Sequence, residues 1–179
     1  MHENNPRIFE RPEGVEEAWR QLESEGIAYA IIGGMALAAH GYVRMTLGVD
    51  VLLTPEGLAR FREKLVGRGY VAGFPGAEKS FRDAHTNVKT EIITAGEFPG
   101  EGLPKAVSFP DPAGQTIEED SVRVINLEKL IELKLASGLS AGNRLRDLAD
   151  VQDLIMALNL SLELADRLDP SVSSEYRRI

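Results

Sequence analysis

A chain of 179 residues, 43% hydrophobic and 27% charged, has the composition of an ordinary globular protein and suffices for one compact domain or a core with a small helical extension. Its net charge of −8 argues against broad, sequence-independent nucleic-acid binding, although a local basic pocket is compatible with that balance. The absence of cysteine excludes disulfide and thiol chemistry, no apolar run suffices to span a bilayer, and no signal-peptide pattern follows Met1, so cytoplasmic location is the default.

Residues 1–12 are polar and read as a flexible start. Val15, Ala18, Trp19 and Leu22 recur at helical spacing ahead of Gly26, which predicts an amphipathic helix over 14–25. An apolar run over 28–32 is expected as a buried strand. Gly33-Gly34 then turns into a short helix that ends at His40-Gly41, and 49–53 is the next strand. Thr54-Pro55-Glu56 supplies an N-cap and a proline at the first helical position, opening a helix that should close near Gly67 or Gly69.

From Tyr70 to about Val124 the pattern is one of short strands between Gly/Pro loops. Residues 87–93 and 122–125 are the clearest strands, and 95–104 is a loop rich in glycine and proline. Asn126 caps a helix over 127–137; a second long helix follows over about 142–158, with one or two short ones after it. Strands interleaved with helices, then helices alone, predict an α/β core over 13–125 and a C-terminal helical lobe over 126–179.

The residues that carry chemistry gather at the first two strands. Gly33 and Gly34 let the backbone approach a ligand, and the N–H groups of the helix start suit a phosphate, although a plain turn uses the same pair. Arg44 and Thr46 lie in the connection into the next strand, on the same side of the sheet end. Within that strand, positions 48 and 50 share a face. Two acids there would grip a divalent ion together with substrate phosphates. Only Asp50 is present, and Gly48 occupies the other position. An acid among Val49, Val51, Leu52 and Leu53 is either functional or an edge-strand residue paired with Arg44.

Glu91 is a second acid in an apolar strand. If its strand adjoins 49–53, Glu91 stands beside Asp50 as a metal ligand or general base; otherwise it is a half-exposed acid opposite Lys89. In the helical lobe, Lys134 falls within the stripe of Leu127, Leu130, Ile131 and Leu133, while Arg144 and Asp147 fall within that of Leu148, Val151, Leu154, Ile155 and Leu158. Charges on a core-facing stripe need partners. A Lys134–Asp147 pair is therefore expected, with Arg144 nearby, and Lys134 could equally face a cleft and bind phosphate. Arg146 and Asp150 read as a solvated pair. His40 reads as a capping or packing residue, and His2 and His85 have no companions that suggest a metal.

Taken together, these residues resemble the nucleotidyltransferase superfamily that shares the DNA polymerase β palm, in particular its small prokaryotic abortive-infection-type and minimal branch. That pattern is Gly-Gly, a short helix ending His-Gly, then Arg-x-Thr-x-Asp-x-Asp on a strand. The chain matches it at Gly33-Gly34, His40-Gly41, Arg44, Thr46 and Asp50, with Gly48 at the first acid. The third carboxylate would fall on Glu91, and the downstream pattern on Leu130-Ile131, Leu133-Lys134, Arg144, Asp147 and Asp150. The resemblance spans about residues 25–158.

The resemblance implies a mixed β-sheet flanked by helices, with a nucleoside triphosphate such as ATP and Mg²⁺ in a cleft between sheet and lobe. Asp50 and Glu91 would be the metal-binding and catalytic acids, and Gly33, Gly34, Arg44, Thr46 and Lys134 the nucleotide-binding residues. The activity implied is transfer of a nucleoside monophosphate to an unknown acceptor hydroxyl, with ions bridging the attacking and leaving oxygens. Glu78, Asp83 or Glu97 could replace the missing acid. The alternative is a degenerate nucleotide- or partner-binding module, for instance a toxin–antitoxin-like component. A homodimer or a complex with a partner protein is compatible with the sequence; a membrane is not expected.

Overall fold

The computed structural model describes residues 15–179; the segment expected to be flexible, 1–12, and the side chains of residues 15–17, Val15 among them, lie outside what is described. At its centre is a seven-stranded mixed sheet in the order β3-β4-β5-β2-β1-β7-β6. Its central strands are β1 (Tyr29–Ile32), β2 (Gly48–Leu53), β5 (Lys89–Thr94) and β7 (Val122–Ile125). β1 runs antiparallel to β2 and parallel to β7, and β2 runs parallel to β5. Every residue of β1 is buried, as expected of a strand covered on both faces. β3 (Tyr70–Ala72), β4 (Ser80–Asp83) and β6 (Thr116–Glu119) extend the sheet by antiparallel pairing at its two ends.

Local chemistry accounts for most helix boundaries. In α1 (Val15–Ser24), Trp19 stacks on Tyr29 of β1 with ring centroids 5.9 Å apart. α2 (Gly33–Ala39) starts directly at the glycine pair. α3 (Pro55–Lys64) is capped by Thr54, whose hydroxyl accepts from the Gly57 amide at 2.9 Å, and its Phe61 packs on Tyr70 and Phe81. This helix stops before the expected Gly67 or Gly69. Both glycines have positive φ, in a turn closed by a bridge between Val66 and Tyr70.

Asn126 caps α4 (Leu127–Gly138) through the Lys129 amide. A 3-10 turn over Gly142–Arg144 precedes α5 (Leu145–Leu158), so the second lobe helix begins near Gly142 as its apolar pattern suggests, with a first turn that is 3-10. Another 3-10 segment (Leu162–Arg167) leads to α6 (Pro170–Arg178), where the buried Glu132 of α4 accepts from the Asp169 amide at 2.8 Å. Among the described residues, no helix is long and apolar enough to cross a membrane.

One constraint in the sheet bears directly on function. Gly48 stands opposite Lys89 in the β2–β5 register. A Cβ at position 48 would lie 2.7 Å from the Lys89 carbonyl oxygen, a backbone atom that yields only if the strands separate. Gly48→Ala is therefore expected to destabilise the fold by about 1–3 kcal/mol, the usual cost of overpacking. Urea unfolding checks this, and an unchanged midpoint would show that β5 gives way freely.

Candidate functional site

A cleft of about 410 Å³ opens where the β1–α2 turn meets β2, the loop after β5 and the lobe helices α4 and α5. Its lining includes Gly33, Gly34, Arg44, Asp50, Lys134 and Asp147. Most of the residues singled out in the sequence therefore converge, although they come from segments a hundred residues apart.

Gly33 holds the first corner. Its φ of +67° favours glycine, and a Cβ there would sit 2.1 Å from Asp50 Oδ2. The Asp50 carboxylate thus rests on the glycine backbone. At Gly34 a Cβ would come within 3.0 Å of the Thr46 Cβ. Thr46 packs beside the turn and donates its hydroxyl to the Gly48 carbonyl at 3.1 Å; it does not line the cleft.

The lobe wall is held by a chain of buried ion pairs. Lys134 Nζ lies 2.7 Å from Asp150 Oδ2 and 2.9 Å from Asp147 Oδ1. Arg44 grips the same Asp150, with Nε 3.0 Å from Oδ1 and Nη2 donating to Oδ2 at 3.2 Å. Ser137 closes the chain by donating to Asp147 Oδ2 at 2.6 Å. The expected Lys134–Asp147 pair is present, but the expected solvated Arg146–Asp150 pair is not. The Asp150 side chain is only 3% exposed, because cations from outside its helix draw it inward. A periodicity argument confined to one helix cannot register such partners.

Asp50 belongs to an inner strand, and Arg44 is engaged elsewhere, so the edge-strand alternative fails. Burial pushes the Asp50 carboxyl above its ordinary value of 3.8. Lys134 opposes that shift, Glu91 reinforces it, and Arg44 and Lys89 oppose it. Glu91 is the register partner of Asp50 on the adjoining parallel strand. Its Oε1 accepts from Ser80 Oγ at 2.9 Å and pairs with Lys89 Nζ at 2.6 Å, and Glu91 is absent from the cleft lining. Both placements considered for Glu91 thus coexist: beside Asp50 in register, and paired with Lys89.

These donors do not suit a two-ion metal site. Magnesium needs several oxygen ligands. Position 48 is closed by the β5 backbone, and Glu91 is committed to Lys89 and Ser80. Of the possible replacements, Glu97 lines the cleft but is paired with Lys79 and accepts from the Thr94 amide. Asp83 is spent on the amides of His85 and Thr86, and Glu78 is exposed. Among the described residues, no group of three His, Cys, Asp or Glu side chains could hold a metal ion.

Several cleft residues were not apparent from the sequence. Phe98, Pro99, Gly100 and Phe109 bring the loop after β5 against the lobe, where Arg144 donates to the Gly100 carbonyl at 3.2 Å. The loop's glycines and prolines marked irregular backbone but gave no indication of which wall it would form. His40 has the packing role expected, with Nε2 2.8 Å from the Ile125 carbonyl, and burial lowers its pKa.

The architecture matches solved structures. The crystal structure of ANT(2'')-Ia in complex with adenylyl-2''-tobramycin has a TM-score of 0.56 at 12% identity, covering 92% of this chain and 95% of that one. The solution structure of the same antibiotic-resistance factor gives 0.52 at 12% identity, covering 92% and 87%. A nucleotidyltransferase-like protein from Paracoccidioides brasiliensis gives 0.46 at 17% identity, covering 91% and 90%. No family model and no curated protein matches the sequence. The chain therefore shares the fold of ANT(2'')-Ia.

The raised pKa of Asp50 has a defined sign in stability. A carboxyl whose folded pKa exceeds its unfolded one favours the native state below the unfolded value, and that benefit is lost as pH rises through the folded value. Asp50→Asn should therefore be more stable than the wild type near neutral pH, with the difference disappearing as pH falls below the ordinary 3.8. Thermal unfolding across that range checks this, and a less stable Asp50→Asn at neutral pH would contradict it.

Proposed function

We propose that the cleft binds a nucleoside triphosphate such as ATP and that the chain is a nucleotide-binding module lacking the two-ion transfer reaction. The observation that carries this reading is the union of paired cations with a closed position 48. Arg44 and Lys134 are anchored by one buried carboxylate, so both are held in place before a ligand arrives. Each retains N–H groups beyond those used in the pairs, because guanidinium has five and ammonium three. These remain for phosphate oxygens beside the Gly33-Gly34 backbone.

Phe98, Phe109, Leu130 and Leu133 supply an apolar surface in the same lining, suited to a base. The volume lies in the usual range for small-molecule sites. ANT(2'')-Ia, the structural relative, was solved with an adenylylated compound, which supports a nucleotide as the class of ligand. Against transfer chemistry stands the single cleft carboxylate on β2, where the resemblance implies a pair.

Calorimetry with ATP, GTP, CTP and UTP in the presence of Mg²⁺, run beside a pyrophosphate-release assay, tests the proposal. At least one nucleotide should bind saturably without releasing pyrophosphate. Arg44→Ala should weaken that binding about tenfold or more, as expected for loss of a charge-assisted hydrogen bond. Binding of none would overturn the nucleotide reading. Pyrophosphate release that Asp50→Ala abolishes would overturn the non-catalytic one.

A further inference from the structure

The strand that closes position 48 also brings a cation to Glu91, the register partner of Asp50. Lys89 and Glu91 are the register partners of Gly48 and Asp50 on adjoining parallel strands, and such partners project from the same face of the sheet. The Lys89 Cβ lies 3.3 Å from the place a Cβ at position 48 would take. Its side chain thus starts beside the position where the first acid of the superfamily pattern would stand. It ends with Nζ 2.6 Å from Glu91 Oε1.

We propose that the Lys89 ammonium is the resident cation of this carboxylate pair, taking the place of a divalent ion and making ligand binding in the cleft independent of metal. Three features meet in this exchange. The missing carboxylate removes one metal ligand, the lysine neutralises a second, and the backbone contact at Gly48 prevents the first from returning without strain. Ser80 holds Glu91 toward the lysine by donating to the same oxygen. Lys89 and Glu91 are 45% and 36% exposed, so the pair is open to solvent, and it stands beside Asp50 through the strand register rather than in the cleft lining. An ammonium there offsets the negative charge of Glu91 and Asp50, which would otherwise repel a phosphate.

The nucleotide part of this inference rests on the binding proposed above; the cation part does not. Mn²⁺ binding to the full chain without nucleotide, followed by electron paramagnetic resonance, separates them. The wild type should bind Mn²⁺ no more tightly than Asp50→Ala. Lys89→Met keeps most of the alkyl stem and removes the charge. It should gain a Mn²⁺ site at least about tenfold tighter, which a second change, Asp50→Asn, abolishes. A wild-type Mn²⁺ site that depends on Asp50, or a Lys89→Met variant no different from the wild type, would overturn the assignment.

In the second arm, ATP affinity is measured with Mg²⁺ and with EDTA. The two values should agree within about twofold if the cleft needs no metal. A strong loss in EDTA would overturn metal independence. If ATP binds in neither condition, the nucleotide reading fails while the Mn²⁺ result still decides the role of Lys89.

Discussion

A buried carboxylate shared by two cations is the interaction on which this structure depends. Asp150 binds Lys134 across the α4–α5 contact and Arg44 from a segment 106 residues earlier in the chain. The helical lobe is thereby fixed to the connection that enters β2. Removing one member of such a network costs about 3–5 kcal/mol, because an uncompensated charge is left behind. Tyr42, which donates to Asp153 at 2.6 Å, adds a second tie between the same connection and α5. The cleft takes its shape from these ties: one wall is sheet, the other is lobe, and the charges that join them face the space between.

Two glycines set the chemistry of that space in opposite ways. Gly33 lets the backbone lie against Asp50, since any side chain there would collide with the carboxylate. Gly48 lets β2 and β5 lie close together, since any side chain there would collide with the Lys89 carbonyl. The first keeps an acid at the cleft and the second excludes one. One strand therefore presents a single carboxylate where a metal-binding strand would present two. A fold permits a reaction without guaranteeing it, because function resides in the site.

How far the sequence could be read depended on the range of the forces involved. β1, β2, the Thr54 cap and the Asn126 cap follow from alternation, apolar runs and hydrogen bonds within a few residues, and all were legible. α3 stops short of the glycines expected to end it, and the second lobe helix begins near Gly142 as its pattern suggests but with a first turn that is 3-10. Left-handed glycines and tight turns lie outside what apolar periodicity encodes. Asp150 departs from its expected solvated pairing for a different reason: its environment is made by Arg44 and Lys134, neither of them on its own helix. Gly48 was legible as a missing acid but not as a closed position, since the atom that closes it belongs to a strand joined only through the tertiary fold. The loop that carries Phe98 and Phe109 to the cleft was visible as irregular chain, not as a wall.

The cleft combines cations anchored on Asp150 with the Gly33-Gly34 backbone and one carboxylate from β2, the arrangement on which the proposed nucleotide binding rests. The most direct measurement is a nuclear magnetic resonance titration of the full chain with a non-hydrolysable ATP analogue, following the Gly33 and Gly34 amides and the Arg44 side-chain N–H. Saturable shifts centred on these groups, sharing one binding constant, are the predicted result. Shifts confined to other surfaces, or none at saturating analogue, would contradict it.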